Sequence, residues 1–108
     1  MAKIIEVNDD SDYMGAIANA GDSLVVAEFY ATWTAPSVAI SEELTKLRED
    51  FPEVVHIRCN LANCVPVFNK YSVNIIPCVK VFRNGEELGE IKGAKAREIR
   101  DLVEANLL

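Results

Sequence analysis

Residues 24–37 read Leu24-Val25-Val26-Ala27-Glu28-Phe29-Tyr30-Ala31-Thr32-Trp33-Thr34-Ala35-Pro36-Ser37, and the fold turns on them. The first seven are apolar except for Glu28, the composition of a strand covered on both faces rather than one alternating apolar with polar. Thr34 then stands where a helix N-cap belongs, with Pro36 in the first turn, and Ile40, Leu44, Leu47 and Phe51 come next at intervals of four, three and four. Pro52 ends the helix, Val54 to Cys59 supply a second strand, and a short helix over about Ala62 to Tyr71 completes this part of the chain. A βαβ unit is predicted here.

Upstream, Lys3 to Val7 forms a short β-like run. Asn8, Asp9 and Asp10 offer caps for a helix carrying Tyr13, Met14, Ile17 and Ala18, which Gly21-Asp22 stops. Downstream, Val79 to Phe82 and Glu87 to Ile91 flank Asn84-Gly85, a dipeptide suited to the left-handed residues of a type I′ hairpin. Gly93 separates this hairpin from a last helix with Ile99, Leu102, Val103 and Leu107 on one face. The order β-α-β-α-β-α-β-β-α, with parallel crossovers first and a hairpin last, predicts an α/β fold: a mixed sheet between helix layers in a single domain over 1–108.

Half of the 108 residues are apolar and 26% are charged, which rules out a disordered chain. Seventeen acids against eleven bases give a net charge of −6, so the surface field repels nucleic acid and anionic lipid. No apolar run approaches the roughly 18 residues of a membrane span, and Met1 to Glu6 lack a signal peptide's apolar stretch. The expectation is a soluble cytoplasmic protein without membrane attachment. Cys59, Cys64 and Cys78 are odd in number with no secretory address, so free thiols are predicted. With His56 they make a poor ligand set for zinc, and neither metal nor cofactor is expected.

Glu28-Phe29-Tyr30-Ala31-Thr32-Trp33, the four residues that open the following helix, Ile76-Pro77, Asn84-Gly85 and Gly93-Ala94 together resemble the thioredoxin family from about Lys3 to Leu108. The resemblance implies a five-stranded mixed sheet flanked by four helices and a cis Ile76-Pro77 peptide. It also implies disulfide exchange through a W-C-G-P-C motif, but the matching residues here are Trp33-Thr34-Ala35-Pro36-Ser37. Exchange needs one thiolate to attack a substrate sulfur and a second thiol to resolve the mixed disulfide, and aliphatic hydroxyls do neither. The Thr34 hydroxyl is instead expected to accept the backbone N–H near Ser37 as an N-cap. Ser37 finds no catalytic base, because His56 lies in the middle of a strand.

Ala35 stands for the family's glycine, Val38 for a common basic residue and Glu42 for a helix-kinking proline. A straighter second helix, from about Pro36 to Asp50, is implied. Glu28 matches the family's buried acid and Arg58 a basic residue near it; with no cysteine to serve, they are expected to form a structural ion pair. By the same resemblance Trp33, Ala35, Pro36, Ile76, Pro77, Gly93 and Ala94 line a groove for a protein or an extended peptide. Cys64, near the start of the third helix, is expected as an incidental surface thiol; the alternative is a modifiable thiol whose pKa the helix dipole lowers. Cys78 should be a buried thiol beneath the motif, and Cys59 part of the core. The functional expectation is a redox-inactive binding or adaptor module, a monomer or weak dimer. The alternatives are a protein-disulfide reductase whose two cysteines were replaced, and a monothiol enzyme using Cys78 or Cys64.

Overall fold

The computed structural model describes residues 3–107, so Met1, Ala2 and Leu108 of the predicted domain lie outside the described residues. Nine elements succeed one another: β1 (Lys3–Val7), α1 (Asp10–Asn19), β2 (Val25–Tyr30), α2 (Ala35–Asp50), β3 (Val55–Asn60), α3 (Val65–Lys70), β4 (Cys78–Arg83), β5 (Glu86–Lys92) and α4 (Ala96–Ala105). The five strands form one sheet in the order β1-β3-β2-β4-β5. β1 and β2 both run parallel to β3, while β4 is antiparallel to β2 and to β5. This is the predicted mixed sheet with four helices.

Alternation along the strands separates two cores. Val25, Ala27 and Phe29 of β2, with Ile57 and Cys59 of β3, face Tyr13 and Ala16 of α1 and Val67 and Phe68 of α3. Val26 and Val81 instead meet Ile40, Leu44 and Leu47 of α2 and Ile99 and Val103 of α4. On α1 the buried side is Tyr13 and Ala16, while Met14 and Ala18 of the predicted set point to solvent. Leu107 packs on the second core from beyond the end of α4.

Local chemistry explains most boundaries. The Asp9 carboxylate accepts the Asp12 N–H at 2.7 Å and caps α1. Asn84 at φ 51° and Gly85 at φ 79° occupy the left-handed region that the predicted I′ turn requires. α2 runs from Ala35 to Asp50, one residue earlier at its start than the sequence suggests. The third helix is shorter than predicted, six residues from Val65 rather than ten from Ala62. Asn60 is the reason: its side chain accepts the Ala62 N–H at 3.1 Å and its carbonyl the Asn63 N–H at 2.9 Å, which holds 61–63 in a turn.

His56 is buried in β3, its Nε2 without a hydrogen-bond partner among the described residues. Burial, reinforced by the Arg48 and Arg58 charges, presses its pKa down to about 3. Between an unfolded value near 6.5 and that depressed one, the unfolded chain takes up a proton the folded chain refuses, so stability falls as pH drops. The loss is expected to reach up to about 4 kcal/mol by pH 3. Urea midpoints at pH 7 and pH 4 measure it, and His56→Leu should flatten the difference between them.

Candidate functional site

Register brings three segments to one end of the sheet. Phe29 pairs with Cys78, and Cys78 pairs with Lys92 on its other side. The chain leaving β2 (Trp33, Thr34), the chain entering β4 (Ile76, Pro77) and the chain leaving β5 (Gly93, Ala94) therefore emerge together. The Gly93 N–H donates to the Pro77 carbonyl at 2.8 Å, which fastens the last loop to the proline segment, and Gly93 has the φ of +94° that favours glycine. The Ile76-Pro77 peptide is cis. Trp33 is 61% exposed, and Ile75 and Val38 are exposed apolar residues flanking the same region in sequence. Ala35, Pro36 and Ala94 are exposed, Ile76 is half-buried and Pro77 is buried.

The hydroxyls of the motif behave differently from expectation. Thr34 is the N-cap residue of α2, but its side chain makes no capping bond, and its buried Oγ1 has no partner among the described residues. Pro36, the second residue of the helix, has no N–H to offer, and the Thr34 side chain does not take the expected N–H of Ser37 either. Ser37, fully buried, turns inward instead: its Oγ accepts the Ala31 N–H at 2.9 Å and ties the first turn of α2 to the end of β2.

Glu28 is 1% exposed and faces Arg58 across the β2–β3 ladder. The Arg58 Nε donates to Glu28 Oε1 at 2.9 Å, and the Ser41 hydroxyl donates to the other carboxylate oxygen. The Arg58 guanidinium lies 4.0 Å over the Tyr30 ring, whose own hydroxyl donates to Glu6. Burial works against the charge on Arg58, yet the Glu28 hydrogen bond and charge outweigh it and hold the pKa above the ordinary value. The expected ion pair is present, embedded in a network with Ser41, Tyr30 and Glu6 that no spacing in the sequence announces.

The thiols are all buried. Cys64 is neither the expected surface thiol nor the alternative with a lowered pKa: it precedes α3 as N-cap, is buried in the core and donates to the Val7 carbonyl at 2.8 Å. Burial raises its pKa against the opposing pull of the Asn60 backbone, and the charges of Glu6, Asp12 and Asp9 add to the rise. Cys78 is buried as expected, 3.5 Å from Glu90 Oε2, and burial followed by the Glu90 charge pushes its pKa up to about 12. Cys59 is core. Among the described residues no cluster of histidine, cysteine, aspartate and glutamate is arranged to hold a metal ion.

Known proteins fit this architecture. A family profile described as Thioredoxin matches residues 3–105. A thioredoxin of Echinococcus granulosus is 35% identical over 97 residues, 90% of each chain. Thioredoxin-1 of Saccharomyces cerevisiae is 32% identical over 96 residues, 89% of this chain and 91% of that one. The solved structure of reduced Schistosoma mansoni thioredoxin pre-protein superposes with a TM-score of 0.90 at 24% identity, covering 98% of this chain and all of that one, a likeness of fold. With the family profile, the sequence identity and the sheet order in agreement, this chain belongs to the thioredoxin family.

Proposed function

We propose that this thioredoxin-family chain is a peptide- or protein-binding module that docks an extended segment beside Trp33, Ile76, Pro77, Gly93 and Ala94 and performs no dithiol–disulfide exchange. The observation that carries the reading is the motif itself. Thr34 and Ser37 hold hydroxyls where exchange needs an attacking and a resolving thiol. Cys64 and Cys78 weigh against a relocated centre, since burial keeps both protonated and away from a substrate disulfide. Ala35, Val38 and Glu42 depart from the family pattern alongside the two cysteines, which favours divergence of the whole helix start over replacement of two residues. The exposed Trp33 supports use of the groove, because an unburied aromatic beside a backbone free to pair is what extended peptides recognise. The reading takes the protein as cytoplasmic, free of cofactor, and a monomer or weak dimer.

Two experiments test it. Dithiothreitol-driven reduction of a protein disulfide by the unmodified chain should run at the uncatalysed rate, and turnover abolished by Cys78→Ser would overturn the reading. Peptides selected on this chain from a displayed library should lose about 2 kcal/mol of affinity, roughly thirtyfold, on Trp33→Ala, with the fold intact. Gly93→Asp should act in the same direction. Isothermal titration calorimetry reads all three affinities, since Trp33 is the only tryptophan and its replacement leaves no indole to follow. Equal affinity in all three folded proteins would place binding elsewhere.

A further inference from the structure

On the sheet face that carries α1 and α3, the β4–β5 hairpin extends past α1, and the step between them is a cavity of about 340 Å³. The rings of Tyr13, Tyr71 and Phe82 wall it, with Met14 and Ile17 of α1 beside them. Tyr13 lies at the centre of this cluster, its ring centroid 5.0 Å from that of Tyr71 and 6.4 Å from that of Phe82. Met14 is 55% exposed, an apolar side chain left in water. Trp33, Ile76, Pro77, Gly93 and Ala94 do not line the cavity, so it is separate from the peptide groove.

Two polar features meet this apolar space, and they are in different condition. Lys80 is nearly buried, but its Nζ donates to Glu87 Oε1 at 3.3 Å and lies 3.4 Å from Glu90 Oε2, which Lys92 approaches at 3.9 Å. Two cations therefore balance two carboxylates there. Of the three tyrosine hydroxyls, that of Tyr30 donates to Glu6 and that of Tyr71 to Asp10, while that of Tyr13 has no partner among the described residues. Nor is it sealed off. The unpartnered side-chain atoms without accessible surface are Thr34 Oγ1, Arg48 Nη1 and His56 Nε2, so the Tyr13 hydroxyl keeps contact with the space that Tyr13 lines. Tyr13 as a whole is only 2% exposed, and burial raises its pKa, so the phenol remains an O–H donor. A nearly buried donor without an acceptor is a costly arrangement, and an acceptor brought into the cavity relieves it.

We propose that this cavity binds a free, uncharged, single-ring aromatic molecule whose hydrogen-bond acceptor takes the Tyr13 O–H. The aromatic class follows from the walls, since three rings and a thioether favour edge-to-face and sulfur–ring contacts. The size follows from the volume, which is roughly twice that of a protein cavity that holds benzene. Neutrality follows from the balanced charges: an anion meets Glu87 and Glu90, a cation meets Lys80, and neither finds a counter-ion to spare. The acceptor argues against a partner's apolar side chain, because phenylalanine has none and the tryptophan N–H only donates.

The test is an NMR titration of the full chain with acetophenone, a ring bearing one carbonyl acceptor, read at the Met14 and Ile17 methyl groups and the Gly85 amide. Saturable shifts are expected at all three. Ala18→Phe, at an exposed position lining the cavity, should fill the space and weaken binding at least about tenfold. Tyr13→Phe keeps the ring and should weaken acetophenone about three- to tenfold, yet leave toluene, which has no acceptor, within about twofold. Benzoate, the same ring with a charge, should bind at least about fivefold more weakly than acetophenone. Shifts that stay linear in ligand, equal acetophenone affinity in folded Tyr13→Phe, an equal loss for toluene, or benzoate binding as tight as acetophenone overturn the proposal. N-acetyltyrosinamide binding at the same groups more tightly than acetophenone assigns the cavity to a protein side chain and overturns it as well. Should Tyr13→Phe fail to fold, Ala18→Phe decides: weakened acetophenone binding supports the proposal and unchanged binding contradicts it.

Discussion

The double variant Thr34→Cys, Ser37→Cys is expected to reduce a protein disulfide at least about a hundredfold faster than the unmodified chain, which should not exceed the uncatalysed rate. The expectation rests on what surrounds the two positions. Residue 34 is the N-cap of a sixteen-residue helix, whose positive end favours a thiolate. Residue 37 is one helical turn further on, fully buried, and within reach of the Ala31 N–H, so a thiol there is shielded from solvent until a mixed disulfide forms beside it. The single variants separate the two halves of the step. Thr34→Cys alone supplies the attacking sulfur but nothing to resolve the mixed disulfide, so it should accumulate that adduct. Ser37→Cys alone should remain inactive. A folded double variant that stays at the uncatalysed rate would mean that Ala35, Val38, Glu42 and the Glu28–Arg58 pair have taken the site beyond recovery.

Arg58→Met should destabilise the fold by about 3–5 kcal/mol, because it removes the cationic partner of the buried Glu28 carboxyl group and leaves only the Ser41 hydroxyl on it. Glu28→Gln should cost less, about 1–2 kcal/mol, since Arg58 is partly exposed and retains Glu6 and the Tyr30 ring. Urea unfolding at pH 7 reads both values. The double variant Glu28→Leu, Arg58→Met should recover most of the loss, as replacing a whole buried pair by apolar side chains commonly does. Equal costs for the two single changes would show that burial of Glu28 is not the source of the asymmetry.

Much of this was legible in the sequence because it depends on local chemistry. The apolar run at Leu24–Tyr30 can satisfy itself only as a covered strand, Asn84-Gly85 can take two left-handed residues, and Pro52 cannot continue a helix. The Glu28–Arg58 pair was legible through the family pattern, and the register of β2 with β3 puts the two side by side. What stayed hidden depends on where a side chain turns once neighbours are in place. Thr34 reads as a cap, and only the fold shows its Oγ1 buried without a partner among the described residues. Ser37 reads as a helix-start hydroxyl until the end of β2 offers it the Ala31 N–H. Cys64 reads as exposed until the turn held by Asn60 delays α3 to Val65 and leaves the thiol on the Val7 carbonyl. Arg48 carries no signal at all: on a helix with acids and lysines around it, it looks like solvated surface, and only the tertiary fold buries its Nη1.

The proposed binding role is tested most directly by the structure of the complex with one library-selected peptide, determined from intermolecular NOEs. Contacts are expected from the peptide to the Trp33 indole, to Ile76 and to Ala94, with a peptide strand hydrogen-bonded to the Ile76 backbone. A peptide seated on another face, with these three residues unperturbed, would contradict the binding role assigned to the groove.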